Sequence, residues 1–591
     1  MLKERNEIAG NLKWDLSVIF KNDGEWNKLF NELSGKLDFS KYEGKLGNAD
    51  TVYECLTEMD KVGWDFQKLG VYAFMKHDED TRNSVYTALN SKIENLEVQF
   101  SSNTAFMTPE FTALPDEVLN SYIANPKLKD YDYMFKCIIK DKPHVLSKET
   151  EEVLAMGGQV FGGFHDIFVM IDNADLPFPE IDVNGEKVKV SHGMYGVLLQ
   201  SPDRSVREKA FKAYYKAFIS LINTISATYI GSVNKDVYLS KARKYKSCLD
   251  AALETEDVNP IVYSNLLESV NAALPLVHRY VKDRKDILKY DELHMYDIYT
   301  PLVENADMQL EYEDAFKLVK KGLAPLGEEY GKLLQKAHDE GWIDVEETAG
   351  KRSGAYSIGV YSIPHPYVLL NYQKTTNEIF TIAHELGHAM HTYHSNKYQP
   401  QAKSDYKIFV AEVASTVNEV LLLKYLMKNS TDKKLKKYLC SYYMDMIRTT
   451  LFRQTMFAEF EYEVHTKVEN GEPLTKDNMN AAYLELNKKY YGNDIVSDDE
   501  IAYEWARIPH FYRAFYVYKY STGIISAISI AERIYSEGET AVKDYFKFLS
   551  SGSSDSPVEL LKLAGIDLTQ KKAFEAAMKS FENTLDEFEN L

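Results

Sequence analysis

The sequence contains little cysteine. Its four cysteines, in a chain of 591 residues, are Cys55, Cys137, Cys248 and Cys440. They are scattered, and so few do not form the disulfide framework that is typical of small secreted domains. We therefore interpret them as buried thiols without a redox role, in a protein of a reducing compartment.

The sequence also lacks long basic and long apolar runs. Its formal net charge is −20, and this balance argues against a nucleic-acid binder, because phosphate contacts need clustered Lys and Arg. The charged N-terminus has no apolar signal region behind it. The longest apolar candidate, residues 523–531, is too short to span a bilayer. We expect a cytoplasmic protein with neither a nucleic-acid nor a membrane partner.

What the sequence does contain is helical periodicity along most of its length. Residues 11–35 and 50–105 carry apolar groups at helical spacing. A helix start is predicted at Ser147, whereas the glycines at 157–158 and 162–163 lack the context of a phosphate loop and are interpreted as a bend. A chain of this length is too long for one core.

One hairpin interrupts the helices. Asn184-Gly185 separates two short alternating runs within residues 178–190, which is typical of a β-hairpin. A helix with a capping box from Ser205 to Glu208 is predicted to follow. We place the domain boundary near residue 195, which gives an N-terminal helical lobe of residues 1–195 and a second region of residues 196–591.

Residues 354–372 differ from their surroundings, because they are rich in Tyr, Val, Ile and Leu and contain two prolines. Proline removes a hydrogen-bond donor, so these segments are predicted to be edge strands or bends. An edge that begins at Gly354 and Ala355 can bind a peptide as an added strand. An ordinary edge that the prolines protect from pairing is the alternative.

The pattern His384-Glu385-x-x-His388 lies in a segment with an apolar stripe, behind a helix start at Thr375 and Glu378. On an α-helix the two histidines are about 40° and about 6 Å apart, so both rings can reach one metal ion. Glu385 lies at the flank of that face, where its carboxylate can reach a water molecule. This is the zincin arrangement of two ligands and a general base; a surface helix with two incidental histidines is the alternative.

A catalytic zinc needs a third protein ligand. Glu412 lies in the middle of a strongly apolar helical segment, residues 408–420, where a buried carboxylate needs a cation nearby. We therefore interpret Glu412 as that ligand, with a salt bridge to an unseen Lys or Arg as the alternative. Glu419, two turns later on the same face, is a candidate acceptor for the free N–H of a ligand histidine.

Further histidines and tyrosines are candidates for other roles. His391 is expected to pack or to support the metal ligands from behind, and His394 to lie at a solvated helix end. His510 follows a proline in a loop that leads into a tyrosine-rich helix with Tyr512, Tyr516 and Tyr518. Imidazole and phenol groups can stabilise the oxyanion of a tetrahedral intermediate. An aromatic packing helix is the alternative, since the chain has 42 tyrosines.

Several segments together resemble oligoendopeptidase F, of the thimet-oligopeptidase-like M3 peptidases. The resemblance runs nearly from end to end, and the zinc helix with Glu412 is its most specific part. The matching segments are Trp14-Asp-Leu, Lys142-Pro-His-Val-Leu-Ser147, Gly354-Ala-Tyr-Ser, Pro366-Tyr-Val-Leu-Leu-Asn371, His384-Glu-Leu-Gly-His388, Phe409-Val-Ala-Glu-Val-Ala-Ser415, Pro509-His-Phe-Tyr and Leu563-Ala-Gly-Ile-Asp-Leu568.

The resemblance implies a mainly α, two-lobed zincin-type fold that encloses a deep substrate channel, with a small β-sheet near the metal. It also implies roles for individual residues. His384, His388 and Glu412 match the zinc ligands and Glu385 the general base. His510 and Tyr518 match positions that contact the scissile carbonyl, with Tyr512 and Tyr516 as substrate contacts. The spacing from His510 to the helix tyrosines is shorter than in thimet-type relatives, and Phe515 stands in place of a tyrosine. The choice among Tyr512, Tyr516 and Tyr518 is therefore open.

The sequence thus leads to the hypothesis of a zinc endopeptidase that binds one Zn²⁺ per chain and cleaves short peptides. Manganese or cobalt can occupy the same ligands. A non-catalytic, zinc-containing peptide-binding protein and an aminopeptidase are the alternatives. Side-chain preference at the cleavage site and oligomeric state do not follow from the sequence.

Overall fold

A computed structural model describes residues 2–303 and 308–591 of the chain. These residues are mainly helical, which confirms the predicted fold class. The α-helices are α1 (Asp23–Ser34), α2 (Ala49–Glu79), α3 (Ser84–Thr104), α4 (Met107–Ala113), α5 (Asp116–Ile123), α6 (Asp132–Asp141), α7 (Lys148–Met156), α8 (Gly158–Met170), α9 (His192–Leu198), α10 (Arg204–Ser220), α11 (Ile222–Ala242), α12 (Cys248–Thr255), α13 (Pro260–Leu288), α14 (Tyr312–Gly322), α15 (Glu328–Asp339), α16 (Thr376–Tyr398), α17 (Ile408–Asn429), α18 (Lys433–Ile447), α19 (Arg453–Glu469), α20 (Lys476–Tyr491), α21 (Tyr518–Glu537), α22 (Glu539–Leu549), α23 (Pro557–Leu563) and α24 (Lys572–Asn590).

The strands of the described residues are short and form three small sheets. Two sheets have two strands each, and the third has three. The strands are β1 (Glu180–Val183), β2 (Glu186–Lys189), β3 (Leu293–His294), β4 (Ile343–Asp344), β5 (Tyr356–Ile358), β6 (Tyr367–Leu369) and β7 (Ile495–Val496).

The chain forms two compact units, and each draws on three separate segments. The first unit comprises Met1–Lys142, Asp307–Lys428 and Ala527–Asp567. The second comprises Pro143–Ala306, Asn429–Ser526 and Leu568–Leu591. The predicted boundary near residue 195 divides the sequence at a single point, whereas these units are each built from three segments. The boundary therefore stays a prediction.

The N-terminal part of the chain contains more loop than its periodicity predicts. Helices α2 and α3 confirm the prediction for residues 50–105, but within residues 11–35 the α-helix begins only at Asp23. The side chain of Asn22 accepts hydrogen bonds from the first turn and sets this start. The aromatic and apolar residues before it reach the core from short 3-10 turns instead.

The predictions for residues 147–222 are confirmed in part. Ser147 caps α7, as predicted. The bend lies at Gly157, between α7 and α8, whereas the glycines at 162–163 lie inside α8. Helix α10 begins at Arg204 with Asp203 as its cap, so the capping box at Ser205 was wrong by two residues. An Asp at the cap position accepts from the Ser205 amide and takes the place of the predicted serine.

The predicted hairpin is present. Strands β1 and β2 pair antiparallel, with Glu180 opposite Lys189 and Val183 opposite Glu186. Asn184 and Gly185, which connect them, both have positive φ, 54° and 88°. A two-residue turn of this type matches the right-handed twist of the flanking strands, which is why Asn-Gly predicts it.

In the first unit, the N-terminal helices and the three-stranded sheet share one hydrophobic core. Trp26 and Leu69 from α1 and α2 are fully buried, as are Tyr367 and Leu369 from β6.

The central strand β6 pairs parallel with β4 and antiparallel with β5. Strand β5 is therefore an edge strand, as predicted, but the same prediction was wrong for β6, which is the central strand. Pro364 and Pro366 lie just before β6 and so remove no hydrogen-bond donor from it. Helix α16 packs against β5 and β6, which places the predicted small sheet beside the helix that carries His384.

In the second unit, helices α10, α11, α13, α19 and α20 supply most of the core, with α24 packed on α13 and α18. The core contains several fully buried tyrosines and also buried charges. Glu504, for example, accepts hydrogen bonds from Arg453, Arg507 and Tyr483. Glu504 is tolerated there because it is paired with two guanidinium groups.

One helical stretch of the described residues, Lys148–Asp175, is long and apolar enough by length and composition to cross a membrane. Only 17% of its most apolar window is buried inside the protein. The sequence-based expectation named residues 523–531 as the longest apolar run and did not include this stretch. Length and composition alone are weak support for a membrane span.

Candidate active site

Helix α16 carries the His-Glu-x-x-His pattern, as predicted. Its first turn is capped by Thr375, whose side chain accepts a hydrogen bond from the Glu378 amide at 3.3 Å. The predicted apolar stripe is buried; it consists of Ile379, Ile382, Ala383, Leu386 and Ala389. The helix is therefore packed on one side, and the two histidines occupy a partly exposed face.

Helix α17 approaches α16 very closely at Gly387. A Cβ atom built on Gly387 would lie 2.5 Å from the Cα of Ser415 and 2.6 Å from the carbonyl oxygen of Ala414. One turn further along, the buried Asn418 amide donates a hydrogen bond at 3.0 Å to the carbonyl oxygen of Ala383. Backbone contact and this hydrogen bond hold the two helices in register, which brings Glu412 to the histidines.

His384, His388 and Glu412 form a group whose ligand atoms lie within 4.8 Å of one another. The Nε2 atoms of the two histidines are 3.2 Å apart. The Oε2 atom of Glu412 lies 3.4 Å from Nε2 of His384 and 3.3 Å from Nε2 of His388. A tetrahedral ion with bonds of about 2.0–2.1 Å separates its ligand atoms by about 3.3–3.4 Å. The three ligand atoms are therefore spaced like three corners of one tetrahedral site.

The ring of His384 is oriented by Glu419. Its Nδ1 atom lies 2.5 Å from Oε1 of Glu419, so Nδ1 carries the hydrogen and Nε2 faces the other ligands. Burial lowers the pKa of His384, but Glu412 and Glu419 raise it more, to about 10. The group therefore attracts positive charge, as a divalent cation site requires.

Glu412 is more exposed than its apolar sequence surroundings suggest. Its side chain is 44% exposed, whereas Val410, Val413 and Ala414 are buried. Burial raises the pKa of Glu412, but the two histidines outweigh this and hold the pKa well below its ordinary value. Glu412 is therefore not buried, contrary to the prediction from its apolar neighbours, while its expected proximity to the histidines is confirmed.

Glu385 is buried, with 7% of its surface exposed. Its Oε2 atom has no hydrogen-bond partner among the described residues. Burial raises the pKa of its carboxyl above the ordinary value, although His384 and His388 oppose this. A buried carboxyl group with a raised pKa and a free oxygen beside two metal-ligand candidates is suited to accept a proton.

The two later histidines of α16 do not join this group. His391 is fully buried and stacks on Tyr406 with ring centroids 3.8 Å apart, which confirms a packing role. His394 was expected at a solvated helix end, but α16 continues to Tyr398 and the His394 ring contacts Phe546. Burial lowers its pKa to about 4. That expectation was wrong because the helix is one turn longer and packs on α22.

Gly354 and Ala355 directly precede β5 in the first unit. Gly354 has a φ of 86°, and its carbonyl oxygen accepts a hydrogen bond from the Asn371 side chain at 2.7 Å. Strand β5 pairs with β6 on one side, and no other strand among the described residues pairs with its second side. The geometry of an edge that can accept an extended chain is therefore present here.

The second unit contains His510 and the predicted tyrosines. His510 is exposed, its Nε2 atom lies 3.3 Å from the hydroxyl of Tyr520, and its ring stacks on Tyr516. Tyr512 and Tyr518 face the interior instead. The Tyr512 hydroxyl shares a hydrogen bond of 2.7 Å with Thr228, and Tyr518 is 1% exposed with its ring against Tyr263.

Sequence reasoning missed three positions that the structure singles out. Gly387 could have been noted from the sequence, because glycine in a helix interior is unfavourable unless close packing requires it. Asn418, a polar residue among apolar neighbours on α17, could have been noted for the same reason as Glu412. Tyr520 could not be distinguished from the other tyrosines, since only the turn before α21 decides which ring meets His510.

Comparison with known proteins shows where this chain belongs. Residues 197–580 match Peptidase family M3, and residues 110–178 match the family described as Oligopeptidase F. The chain belongs to peptidase family M3. This confirms the resemblance found in the sequence.

Individual M3 relatives are similar over the whole chain. Oligopeptidase PepF of Bacillus subtilis (strain 168) is 44% identical over 594 residues, which cover 100% of this chain and 88% of that protein. The oligoendopeptidase F homolog of Lactococcus lactis subsp. lactis (strain IL1403) is 40% identical, with 100% and 99% covered. The crystal structure of oligoendopeptidase-F from Enterococcus faecium is 35% identical, with a TM-score of 0.73 and 96% and 99% covered.

Membership of the M3 family decides the enzyme class. The chain is a metalloendopeptidase of the oligopeptidase type, and its substrates are peptides. A non-catalytic binding protein and an aminopeptidase, the alternatives left open by the sequence, do not agree with this membership. The family implies a metal, and the His384, His388 and Glu412 group is the candidate metal site of the described residues.

Proposed function

We propose that this chain is a zinc-dependent oligoendopeptidase that hydrolyses internal bonds of short peptides. The observation that carries the proposal is the group of three ligand atoms, 3.2–3.4 Å apart, on two helices that also present Glu385. Two imidazole nitrogens and one carboxylate oxygen form a donor set that favours zinc in catalytic sites. Manganese and cobalt are the other metals that this donor set accepts.

His384, His388 and Glu412 would hold one zinc ion per chain. A zinc ion bound there supplies Lewis acidity, which activates a water molecule and polarises the substrate carbonyl. Glu419 keeps the His384 ring in the tautomer that leaves Nε2 available. The protein thus contributes an anionic, oriented set of ligands and leaves room for water and substrate.

Glu385 would act as the general base. Its free Oε2 takes a proton from the attacking water, and the same carboxyl group later gives the proton to the nitrogen of the departing amine. Burial, which raises the pKa of Glu385, favours the protonated form that the second transfer needs. One residue can therefore serve both steps.

The edge of β5, with Gly354 and Ala355 before it, would hold the substrate main chain. An extended peptide pairs with such an edge through its own N–H and C=O groups. Binding of this kind selects extended peptides and depends little on their side chains. Several different peptides can therefore be substrates of one enzyme.

His510 and a tyrosine would donate hydrogen bonds to the oxyanion that forms on the scissile carbonyl. The sequence led to Tyr518 for this role. The contact between the exposed His510 and the partly exposed Tyr520 supports Tyr520 instead, because the Tyr518 ring is packed against Tyr263. Of the two tyrosines predicted to contact the substrate, Tyr516 is the better candidate, because it stacks on His510. A substrate contact of Tyr512 stays a prediction.

We also propose a cytoplasmic enzyme without a nucleic-acid or membrane partner. The acidic balance of −20 supports the first part. Fractionation of cells into soluble and membrane fractions tests the second part, because the apolar stretch Lys148–Asp175 would retain the enzyme with the membrane if it were inserted. The oligomeric state is left to measurement of the molar mass in solution.

A fluorogenic peptide with both ends blocked tests the proposed function. We expect cleavage inside the peptide, loss of activity with a chelator, and recovery on addition of stoichiometric zinc. Metal analysis should give one zinc per active chain. Cleavage that needs a free terminus, or activity that survives complete removal of metal, would refute the proposal.

A further inference from the structure

A buried carboxyl group holds the turn that connects His510 to Tyr520. Glu461, on α19, is fully buried, and its Oε1 atom accepts a hydrogen bond from the Phe515 amide at 2.7 Å. Phe515 lies between the 3-10 helix Pro509–Tyr512 and the start of α21. His510 lies before this turn, and its two contact partners, Tyr516 and Tyr520, lie after it.

The backbone of Phe515 is in a conformation that bulky residues rarely adopt. Its φ is 52°, in the left-handed region where a side chain crowds the following carbonyl group. Such a conformation persists only where the surroundings determine it. Here the Phe515 ring is buried against His465 and Tyr263, with centroids 4.8 Å and 6.0 Å away, and Glu461 holds the amide.

Glu461 is itself held in place by its neighbours. Nδ1 of His465, one turn later on α19, lies 2.8 Å from the carbonyl oxygen of Glu461, and Nε2 lies 3.4 Å from Asp236 on α11. Both ring nitrogens face oxygen atoms, so the ring carries two hydrogens. Burial raises the pKa of Glu461 to about 8, although His465 opposes this. Whatever its charge, the carboxyl group presents Oε1 as an acceptor to the Phe515 amide.

We infer that Glu461 is a positioning residue for peptide hydrolysis, because it fixes the left-handed turn at Phe515 and thereby the directions of His510, Tyr516 and Tyr520. Nothing in the metal group requires this carboxyl. The turn, however, sets where α21 begins, and a slip of two residues would exchange the partly exposed Tyr520 for the buried Tyr518. The inference rests on the proposed roles of His510 and Tyr520.

The test compares three substitutions of Glu461 in the full-length, zinc-loaded protein. Glu461→Leu removes the acceptor at similar volume, and we expect kcat to fall about 10- to 100-fold with KM changed less than about 3-fold, since misplaced groups lose transition-state contacts. Glu461→Asp withdraws the acceptor and should give an intermediate fall. Glu461→Gln keeps a neutral acceptor and should stay within about 3-fold of the parent.

A matched control lies on the same helix. Glu463 is partly exposed and paired with Lys467, so Glu463→Gln should leave kcat and KM unchanged. Zinc content and melting temperature are measured for every variant. If Glu461→Leu does not fold, Glu461→Asp decides the question: a folded, zinc-loaded Asp variant with the parent kcat would overturn the inference.

A second background separates positioning from general structural damage. In protein that carries both His510→Ala and Tyr520→Phe, the turn has lost the two oxyanion contacts that it positions, so Glu461→Leu should cost far less there than in the parent. Full additivity of the two losses would overturn the inference. If His510→Ala itself has the parent kcat, the proposed role of His510 fails instead, and the two failures are thereby distinguished.

Discussion

A Cβ atom on Gly387 would lie 2.5 Å from the Cα of Ser415, a distance that real Cβ atoms essentially never show. Gly387 stands between the two histidines of α16, and Ser415 is one turn after Glu412. The ligand set is therefore complete only if two helix backbones touch. The spacing of the helices, and not only the identity of the ligands, defines this metal site.

Gly387→Ala should separate α16 from α17. We expect a loss of about 2 kcal/mol in stability or more, since the clash is with backbone atoms that cannot rotate away. Zinc affinity, measured by competition with a chromophoric chelator, should fall at least about 10-fold. Gly331→Ala on α15 is the control, because its Cβ would meet only Lys320 at 3.9 Å. A Gly387→Ala protein with the parent zinc affinity would contradict this account.

Glu385→Gln should separate metal binding from catalysis. The amide cannot accept a proton, so we expect kcat to fall about 10²- to 10⁴-fold with the zinc content unchanged. Glu378→Gln, in the first turn of the same helix, should stay within about 3-fold of the parent. An active Glu385→Gln enzyme would remove Glu385 from the role of general base.

Tyr520→Phe and Tyr518→Phe distinguish the two assignments of the oxyanion contact. Loss of the exposed hydroxyl beside His510 should lower kcat about 10- to 10³-fold with little change in KM, because the hydrogen bond matters most in the transition state. Tyr518→Phe should change kcat less than about 3-fold. If the losses are reversed, the sequence-based choice of Tyr518 is right and the present assignment is wrong.

Glu504 should make the stability of the second unit depend on pH. Burial alone would raise its pKa, but Arg453 and Arg507 outweigh burial and lower the pKa to about 2. A carboxyl whose pKa is lower in the folded state stabilises the protein above its unfolded value of about 4.3 and loses this effect as the pH falls toward 2.

At pH 7, Glu504→Gln should therefore cost about 3–5 kcal/mol, because two buried guanidinium groups lose their partner. Calorimetry should show a lower melting temperature than that of the parent, with the difference shrinking between pH 4.5 and pH 2. Asp499→Asn, at the exposed start of the same 3-10 helix, is the control. A difference that stays constant over this pH range would show that Glu504 is not ionised in the folded protein.

Local patterns of the sequence predicted the helical class, the hairpin at Asn184-Gly185 and the candidate ligands. Each depends on residues close in the chain, such as two histidines one turn apart. Glu412 required a further assumption, that α17 returns against α16, and the apolar character of α17 supported it although Glu412 itself is half exposed. What a sequence does not contain is the exact place where a helix begins or ends. Helices α10 and α21 show this at their starts, and α16 shows it at its end.

The tyrosines after His510 show most clearly what local sequence patterns cannot predict. Tyr516, Tyr518 and Tyr520 alternate along a few residues, so a small change in the preceding turn decides which ring is exposed. That turn depends on Phe515 with positive φ and on Glu461, 54 residues earlier in the chain. No local pattern predicts a left-handed phenylalanine, because the cause is tertiary.

The apolar stretch Lys148–Asp175 has a practical consequence for all of these measurements. Val153, Met156 and Val160 are each at least 65% exposed, and exposed apolar surface of this kind binds fluorescent hydrophobic dyes. The folded enzyme should therefore give a strong dye signal before any heating, and adsorb to hydrophobic resins and plastic. Melting curves are best recorded by calorimetry or circular dichroism, with a non-ionic detergent below its micellar concentration to keep the protein in solution.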